Sequence, residues 1–269
     1  MSRFAGALLA MALGLGTAAC ARGSNDVASS KPSTLTVFAA ASLTDSLEAL
    51  AAEFESAHPG VDVVLSFGAS QALRAQIQDG AQVDVFASAN RDEIKALVDA
   101  GLVDETATPI FARNRLVVVL PANNPAGVIS LQDLARPGVH LVVADPAVPA
   151  GKYTQRMLDS IGRDAAWGGA FRDAVLDNVV SQEVTVRAVL AKVEIGEADA
   201  GIVYASDASQ APGLIRLDLP DEHNPVAEYP LAALRDSPHL ALAQEFVDFV
   251  LSNVGQQVLE AHGFVPAAD

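Results

Sequence analysis

The chain has 269 residues, a formal net charge of −16 at pH 7 and a single cysteine. So acidic a surface repels nucleic acid and anionic lipid, which excludes a nucleic-acid-binding function. A small anionic ligand is not excluded, because the few donors lining a buried site matter more to it than distant, screened charge.

The amino terminus predicts export. Arg3 precedes an apolar run at 4–16 that is too short to span a bilayer, and small residues follow at 17–19. Cys20 then stands where a bacterial lipoprotein carries its acylated cysteine, so the sequence resembles a lipobox. We therefore predict a signal peptide at 1–19, a lipidated tether at 20–33 and anchoring at the outer face of the cell membrane. The alternative is an ordinary signal peptide followed by an unmodified cysteine.

Short apolar runs alternate with helical patterns along the rest of the chain. The predicted strands are Thr34–Ala40, Val61–Phe67, Val83–Ala87, Arg115–Leu120, His140–Ala144 and Ala200–Tyr204. The predicted helices are Leu43–Ala57, Ala69–Asp79, Asp92–Ala100, Lys152–Ile161, Val186–Glu194 and one long closing helix through Phe246 and Val258. This alternation predicts mostly parallel sheets flanked by helices, and the pattern restarts after Leu120 as if a second α/β domain began there.

Four segments join a strand or loop to a helix start rich in small residues. They are Val37–Leu47, Val64–Ile77, Val142–Tyr153 and Glu183–Leu190. The first N–H groups of a helix have no partner within the helix and carry partial positive charge, and small side chains let a ligand approach them. Ligands of open α/β sheets bind off the carboxyl ends of the strands. Taken singly, each segment is explained by capping and packing; together they predict an oxyanion site.

The ordered set of motifs resembles the molybdate-binding proteins of bacterial ABC transporters over essentially the whole mature chain. The motifs are VFAAASLT at 37–44, FGAS at 67–70, DVFASA at 84–89, DPAVPAGKY at 145–153, VRAVLAKVEIGEADAGIVYASDA at 186–208 and GFVP at 263–266. The resemblance implies a two-domain periplasmic-binding-protein fold of type II-like architecture, with the ligand in the interdomain cleft. It places domain I at 34–115 plus 227–269, and domain II at 116–226.

The resemblance also implies the ligand, its partners and its contacts. The family's contacts fall on five positions: Ser42, Ser70, Ala150, Val186 and Tyr204. The ligand would be molybdate or tungstate and the partner an ABC transporter permease, with a monomeric binding protein, no cofactor and no enzymatic activity. The five groups can all donate hydrogen bonds and none brings a formal charge, which suits a fully deprotonated dianion. Hydrogen phosphate carries a proton that needs an acceptor, so such a shell disfavours it.

Three alternatives stay open from the sequence. Another oxyanion could occupy the same donors. A metal cation would suit the acidic composition, but the five histidines are scattered, and Tyr153, Tyr204 and Tyr229 are isolated in sequence. A serine hydrolase could use Ser70, since GASQA at 68–72 differs from the G-x-S-x-G nucleophile motif only at its last position, Ala72.

Three acidic residues, Asp45, Asp84 and Asp145, lie near the predicted crevice. They are expected to cap helices rather than to face an anion, and Asp207 is expected to cap or orient the segment after Tyr204.

Overall fold

The computed structural model describes residues 33–267, and the predicted signal peptide, most of the tether and Cys20 lie outside this part of the chain. Its strands are β1 (Ser33–Ala40), β2 (Val61–Gly68), β3 (Val85–Ala87), β4 (Ile110–Asn114), β5 (Leu116–Leu120), β6 (Leu141–Ala144), β7 (Val179–Glu183), β8 (Ala200–Tyr204), β9 (Ile215–Asp218), β10 (Ala227–Ala233) and β11 (Val265–Pro266). Its α-helices are α1 (Thr44–Ala57), α2 (Ser70–Gln78), α3 (Arg91–Asp99), α4 (Pro149–Arg163), α5 (Gly168–Asp177), α6 (Val186–Glu194), α7 (Ala205–Ser209), α8 (Leu240–Leu251) and α9 (Asn253–Ala261). Every helix in this range is too short or too polar to cross a membrane.

The strands form two sheets. The six-stranded sheet has the order β11-β4-β10-β3-β1-β2, and the five-stranded sheet has the order β7-β6-β8-β5-β9. Helical crossovers make β1 parallel to β2 and β3, and make β6 parallel to β7 and β8. The remaining pairs are antiparallel, because β4, β5, β9, β10 and β11 follow turns or return from the other sheet. The predicted α/β class is confirmed, and the sheets are mixed rather than mostly parallel.

The chain passes between the sheets twice. One passage is Arg115, between β4 and β5, and the other lies between β9 and β10. Asn224 pins the two passages together, since its side-chain amide donates to the carbonyl of Leu116 at 2.8 Å and accepts from the N–H of Leu116 at 3.1 Å. We call residues 33–114 and 227–267 the six-stranded half, and residues 115–226 the five-stranded half. Residues 33–267 belong to one compact unit, and the domain limits given above stay a prediction.

Apolar patterning explains the elements that the sequence predicted. β5 reads LVVVL and is buried at every position, as expected for a strand covered on both faces. α1 places Leu47, Leu50 and Phe54 on one buried stripe at helical spacing, where Phe54 packs edge-on against Phe246 of α8. The six predicted strands and the first five predicted helices are all confirmed, with ends shifted by a few residues.

The predicted long closing helix is wrong, because it is two helices. Ser252 separates α8 from α9 with extended backbone angles, φ −67° and ψ 165°, and its hydroxyl accepts a hydrogen bond from the N–H of Gly255. Serine is a favoured residue at the start of a helix, where its side chain replaces a missing backbone acceptor. A Cβ at Gly255 would lie 2.4 Å from the carbonyl oxygen of Val250, so only glycine permits this tight break.

Candidate functional site

One small cavity collects all five predicted ligand residues. Its lining consists of Ala40, Ala41, Ser42, Gly68, Ala69, Ser70, Ala89, Val148, Pro149, Ala150, Thr185, Val186 and Tyr204. It lies off the carboxyl ends of β1, β2 and β8 and at the starts of α2, α4 and α6. The cavity has a volume of about 20 Å³, and on the same measure one water molecule needs about 10–15 Å³. This is room for a small ion and not for an organic ligand.

The two serines come from the six-stranded half and are buried. Ser70 begins α2, and its hydroxyl oxygen accepts a hydrogen bond from the N–H of Ala89 at 3.1 Å. That bond uses a lone pair and leaves the hydroxyl proton available to a ligand. Ser42 follows β1 in a short 3-10 turn, and its Oγ lies 3.1 Å from Oη of Tyr229. If the phenol donates in this pair, the proton of Ser42 is available in the same way.

Ala150 and Val186 lie in the first turns of two helices from the five-stranded half. α4 begins at Pro149 and α6 begins at Val186, so the N–H groups of Ala150 and Val186 have no acceptor within their own helices. Thr185 fixes the start of α6 by accepting from the N–H of Ala188. A Cβ at Gly151 would lie 2.0 Å from the carbonyl oxygen of Asp145. The glycine therefore lets α4 start directly against the end of β6.

Tyr204, the fifth predicted ligand residue, lies at the end of β8. Its side chain is 1% exposed, and its hydroxyl has no hydrogen-bond partner among the described residues. Burial, followed by the nearby Tyr229 and Tyr153, raises the pKa of Tyr204 well above its usual range. The phenol is therefore a neutral donor at physiological pH. A buried hydroxyl that lines a cavity can donate its proton to a group bound there.

The three tyrosines that are isolated in sequence are adjacent in space. The rings of Tyr153 and Tyr204 lie 6.4 Å apart, and those of Tyr204 and Tyr229 lie 5.8 Å apart, both in edge-on arrangements. The description of these residues as isolated, taken from sequence spacing alone, is wrong for the folded chain. Sequence reasoning missed Tyr229 as a neighbour of the predicted site, because its contact with Ser42 joins residues 187 positions apart.

Residues 35–265 match the family model for bacterial extracellular solute-binding proteins. The chain belongs to this family. It is 38% identical to the molybdate-binding protein ModA of Mycobacterium tuberculosis over 264 residues, which cover 96% of this chain and 95% of the relative. It is 34% identical to the ABC transporter substrate-binding lipoprotein YvgL of Bacillus subtilis, with 98% and 97% covered. The periplasmic molybdate-binding protein of Azotobacter vinelandii superposes with a TM-score of 0.74 at 24% identity, covering 86% of this chain and 98% of that one. The predicted two-domain binding-protein fold is thereby confirmed.

Among residues 33–267 of this solute-binding protein, no charged side chain lines the cavity. Asp84 instead accepts from the N–H of Thr36 at 2.7 Å and from Ser237, and Asp145 accepts from the N–H of Ala147 at 2.8 Å. Neither bond caps a helix, because Thr36 lies within β1 and α4 is capped at Val148 without a side-chain bond, so the predicted capping role is wrong for Asp84 and Asp145. The carboxylate of Asp45 pairs with the guanidinium of Arg187. A site without carboxylates imposes no like-charge repulsion from its own lining on an anion.

Asp207 lies in the first turn of α7, the segment after Tyr204 that it was expected to cap or orient. It is 0% exposed, and its only charged partner among the described residues is Arg187, whose Nε lies 3.0 Å from Oδ1 without hydrogen-bond geometry. Burial raises the pKa of Asp207 to about 7, although Arg187 opposes the shift. The carboxyl group therefore titrates near neutral pH inside the folded protein.

A serine hydrolase would need a histidine next to Ser70. The hydroxyl of Ser70 accepts from the N–H of Ala89 instead. The ring hydrogen bonds of His58, His223 and His262 go to Phe54, to Ser160 and Asp164, and to Val258. No group of three or more His, Cys, Asp or Glu that could hold a metal ion occurs within residues 33–267. The family and its relatives are solute-binding proteins.

Proposed function

We propose that this solute-binding protein captures one molybdate or tungstate ion in the cavity and delivers it to an ABC transporter permease. The observation that carries the proposal is the convergence of five uncharged donors on one small cavity. They are Ser42, Ser70, Ala150, Val186 and Tyr204. Several relatives are named molybdate-binding protein ModA, which supports the same ligand.

The donor set discriminates between oxyanions by their protons. A fully deprotonated tetrahedral dianion accepts hydrogen bonds at every oxygen, and hydroxyl and N–H groups can satisfy all of them. Hydrogen phosphate brings one donor of its own, and no carboxylate lines the cavity to accept it. An unmatched buried polar contact costs about 1–3 kcal/mol, so phosphate binds more weakly. Sulfate matches the donors in charge but is smaller, and it would leave some of these hydrogen bonds long.

The donors are divided between the two halves of the protein. Ser42 and Ser70 belong to the six-stranded half, whereas Ala150, Val186 and Tyr204 belong to the five-stranded half. Neither half can complete the shell alone. We therefore infer that the halves correspond to domains at 34–115 plus 227–269 and at 116–226, and that the ion stabilises their closed arrangement by its higher affinity for it.

A panel of anions and cations tests the proposed ligand. Molybdate or tungstate at about 100 times its Kd should stabilise the protein by about 2.7 kcal/mol. For a chain of this size that raises Tm by roughly 5–11 °C. Thermal unfolding should be compared at equal concentrations of molybdate, tungstate, sulfate, phosphate, zinc and ferric ion. A larger shift with phosphate or with a cation would show that the assignment is wrong.

We also propose that Cys20 is acylated and holds the exported protein, as a monomer, at the outer face of the cell membrane. Its support is the signal-like run before the cysteine and the lipoprotein relative YvgL. Cys20→Ser should leave the protein unprocessed or release it from membranes, because no thiol remains to be acylated. Fractionation of cells that express either form measures this, and equal membrane retention of processed Cys20→Ser would refute the anchor.

A further inference from the structure

Two cationic side chains close to the helix starts that line the cavity, Arg187 and Lys152, form ion pairs with the six-stranded half. We propose that Arg187 with Asp45, and Lys152 with Glu93, are positioning residues that act as two clasps on the closed protein. The clasps would set how long the anion stays bound, without contacting it. This inference deepens the proposed function and rests on it for the identity of the ligand.

Each clasp cation is carried by a helix whose first turn faces the cavity. Lys152 lies on α4 two residues after Ala150, and Arg187 lies on α6 directly after Val186. Each cation reaches a carboxylate of the other half, Glu93 on α3 or Asp45 on α1. A clasp therefore holds the helix start that offers an N–H group against the half that carries the two serines.

In the first clasp, Arg187 has a second carboxyl group close by within its own half. Arg187 forms a hydrogen bond to Asp45 through Nη2, and its Nε lies 3.0 Å from the carboxylate of the buried Asp207. Asp207 belongs to the same half as Arg187, so this contact does not depend on closure. The side chain of Asp45 is 37% exposed and can return to water when the halves separate.

In the second clasp, the residue with two partners is a carboxylate, Glu93, instead of a cation. Lys152 Nζ lies 3.0 Å from Oε1 of Glu93, while Nε of Arg74 lies 2.7 Å from Oε2 of the same carboxylate. Arg74 and Glu93 belong to one half, so the buried Glu93 keeps a partner when the protein opens. Lys152 is 31% exposed and also lies 3.4 Å from Asp92, so it too can be solvated.

This arrangement makes both clasps inexpensive to break. Separating a buried ion pair is costly when it leaves one charge unpaired. Here the buried Glu93 keeps Arg74 as its partner, and the side chains of Arg187 and Asp45 are 27% and 37% exposed, so water can solvate them. Partly exposed pairs contribute about 0.2–1 kcal/mol. Loss of one clasp should therefore raise the oxyanion Kd roughly twofold to fivefold, mostly through faster dissociation.

The variant Asp45→Asn distinguishes the effect of the clasp on anion affinity from the effect of charge alone. It removes a negative charge close to an anion site, so charge alone predicts tighter binding. The clasp predicts a Kd that is roughly two to five times higher, with dissociation faster by a similar factor. Lys152→Gln should raise the Kd as well, whereas Lys152→Arg keeps the cation and should retain wild-type affinity. The double variant Asp45→Asn with Lys152→Gln should raise the Kd by the product of the two single effects. Lys95→Gln is the matched control, because it breaks an exposed pair with Asp99 inside α3.

A distance measurement tests the clasps independently of the ligand. Spin labels at Ile129→Cys and Val254→Cys, both exposed, would report on the five-stranded and six-stranded halves in a Cys20→Ser background. Asp45→Asn and Lys152→Gln should shift the distance distribution towards the open arrangement, whereas Lys95→Gln should not. If no oxyanion binds the wild type, the proposed function fails while the distances of the empty protein still decide the clasps. Unchanged distances in both clasp variants, empty and with molybdate, would overturn the inference.

Discussion

Ser42→Ala and Ser70→Ala should each weaken molybdate binding by about 1.5–3 kcal/mol, which is roughly a 10- to 150-fold rise in Kd. Each hydroxyl lines the cavity, and a hydrogen bond to a buried dianion is stronger than one between neutral groups. Isothermal calorimetry measures the loss. Ser70→Ala should also lower the free energy of unfolding by about 1–3 kcal/mol, because the buried N–H of Ala89 loses its acceptor. Affinities are therefore compared well below Tm.

Ser46→Ala is the matched control for both serines. Ser46 is buried on α1 close to Ser42, but its hydroxyl donates to the carbonyl of Leu43 at 3.0 Å and does not line the cavity. This variant should keep wild-type affinity. An esterase activity abolished by Ser70→Ala would favour the hydrolase alternative. Unchanged molybdate affinity in both Ser42→Ala and Ser70→Ala would remove these residues from the site.

The second large effect is a pH dependence of stability that originates at Asp207. Burial raises the pKa of Asp207 to about 7 in the folded protein, whereas an unfolded aspartate titrates near ~3.9. Between these values the folded state holds a proton that the unfolded state has released, so stability falls as pH rises from about 4 to about 7. Three pKa units correspond to about 4 kcal/mol of destabilisation that is fully present above pH 7.

Asp207→Asn removes this titration while keeping the shape of the side chain. The free energy of unfolding of the wild type, minus that of the variant, should decrease by about 2–4 kcal/mol between pH 4.5 and pH 7.5. Urea unfolding without oxyanion measures the difference at each pH. Asp248→Asn, at an exposed position on α8, controls for the loss of one carboxylate. A difference that is constant or rises with pH would contradict the raised pKa.

Local patterns in the sequence were sufficient for much of the fold. β1, β2, β5 and β8 were predictable because continuous or alternating apolar runs mark them, and α1 because its apolar residues recur at helical spacing. The break between α8 and α9 was not predictable from periodicity, since the apolar stripe continues across Ser252. It depends on how closely Gly255 approaches the carbonyl of Val250.

The site was predictable only as far as its motifs are local. Ser42, Ser70, Ala150 and Val186 each belong to a junction between a strand or loop and a helix that is visible in the sequence. Tyr229 and Asp45 act through contacts with distant residues, and the sequence has no local signal for those contacts. The same is true of β10, which follows an irregular stretch and pairs with strands on both sides only after the chain returns to the first sheet.

Anomalous diffraction from crystals grown with molybdate tests the central claim most directly. The account predicts one molybdenum peak per chain, inside the cavity, with its oxygens within hydrogen-bond distance of the hydroxyls of Ser42, Ser70 and Tyr204 and of the N–H groups of Ala150 and Val186. A peak outside this cavity, or none there at saturating molybdate, would contradict it.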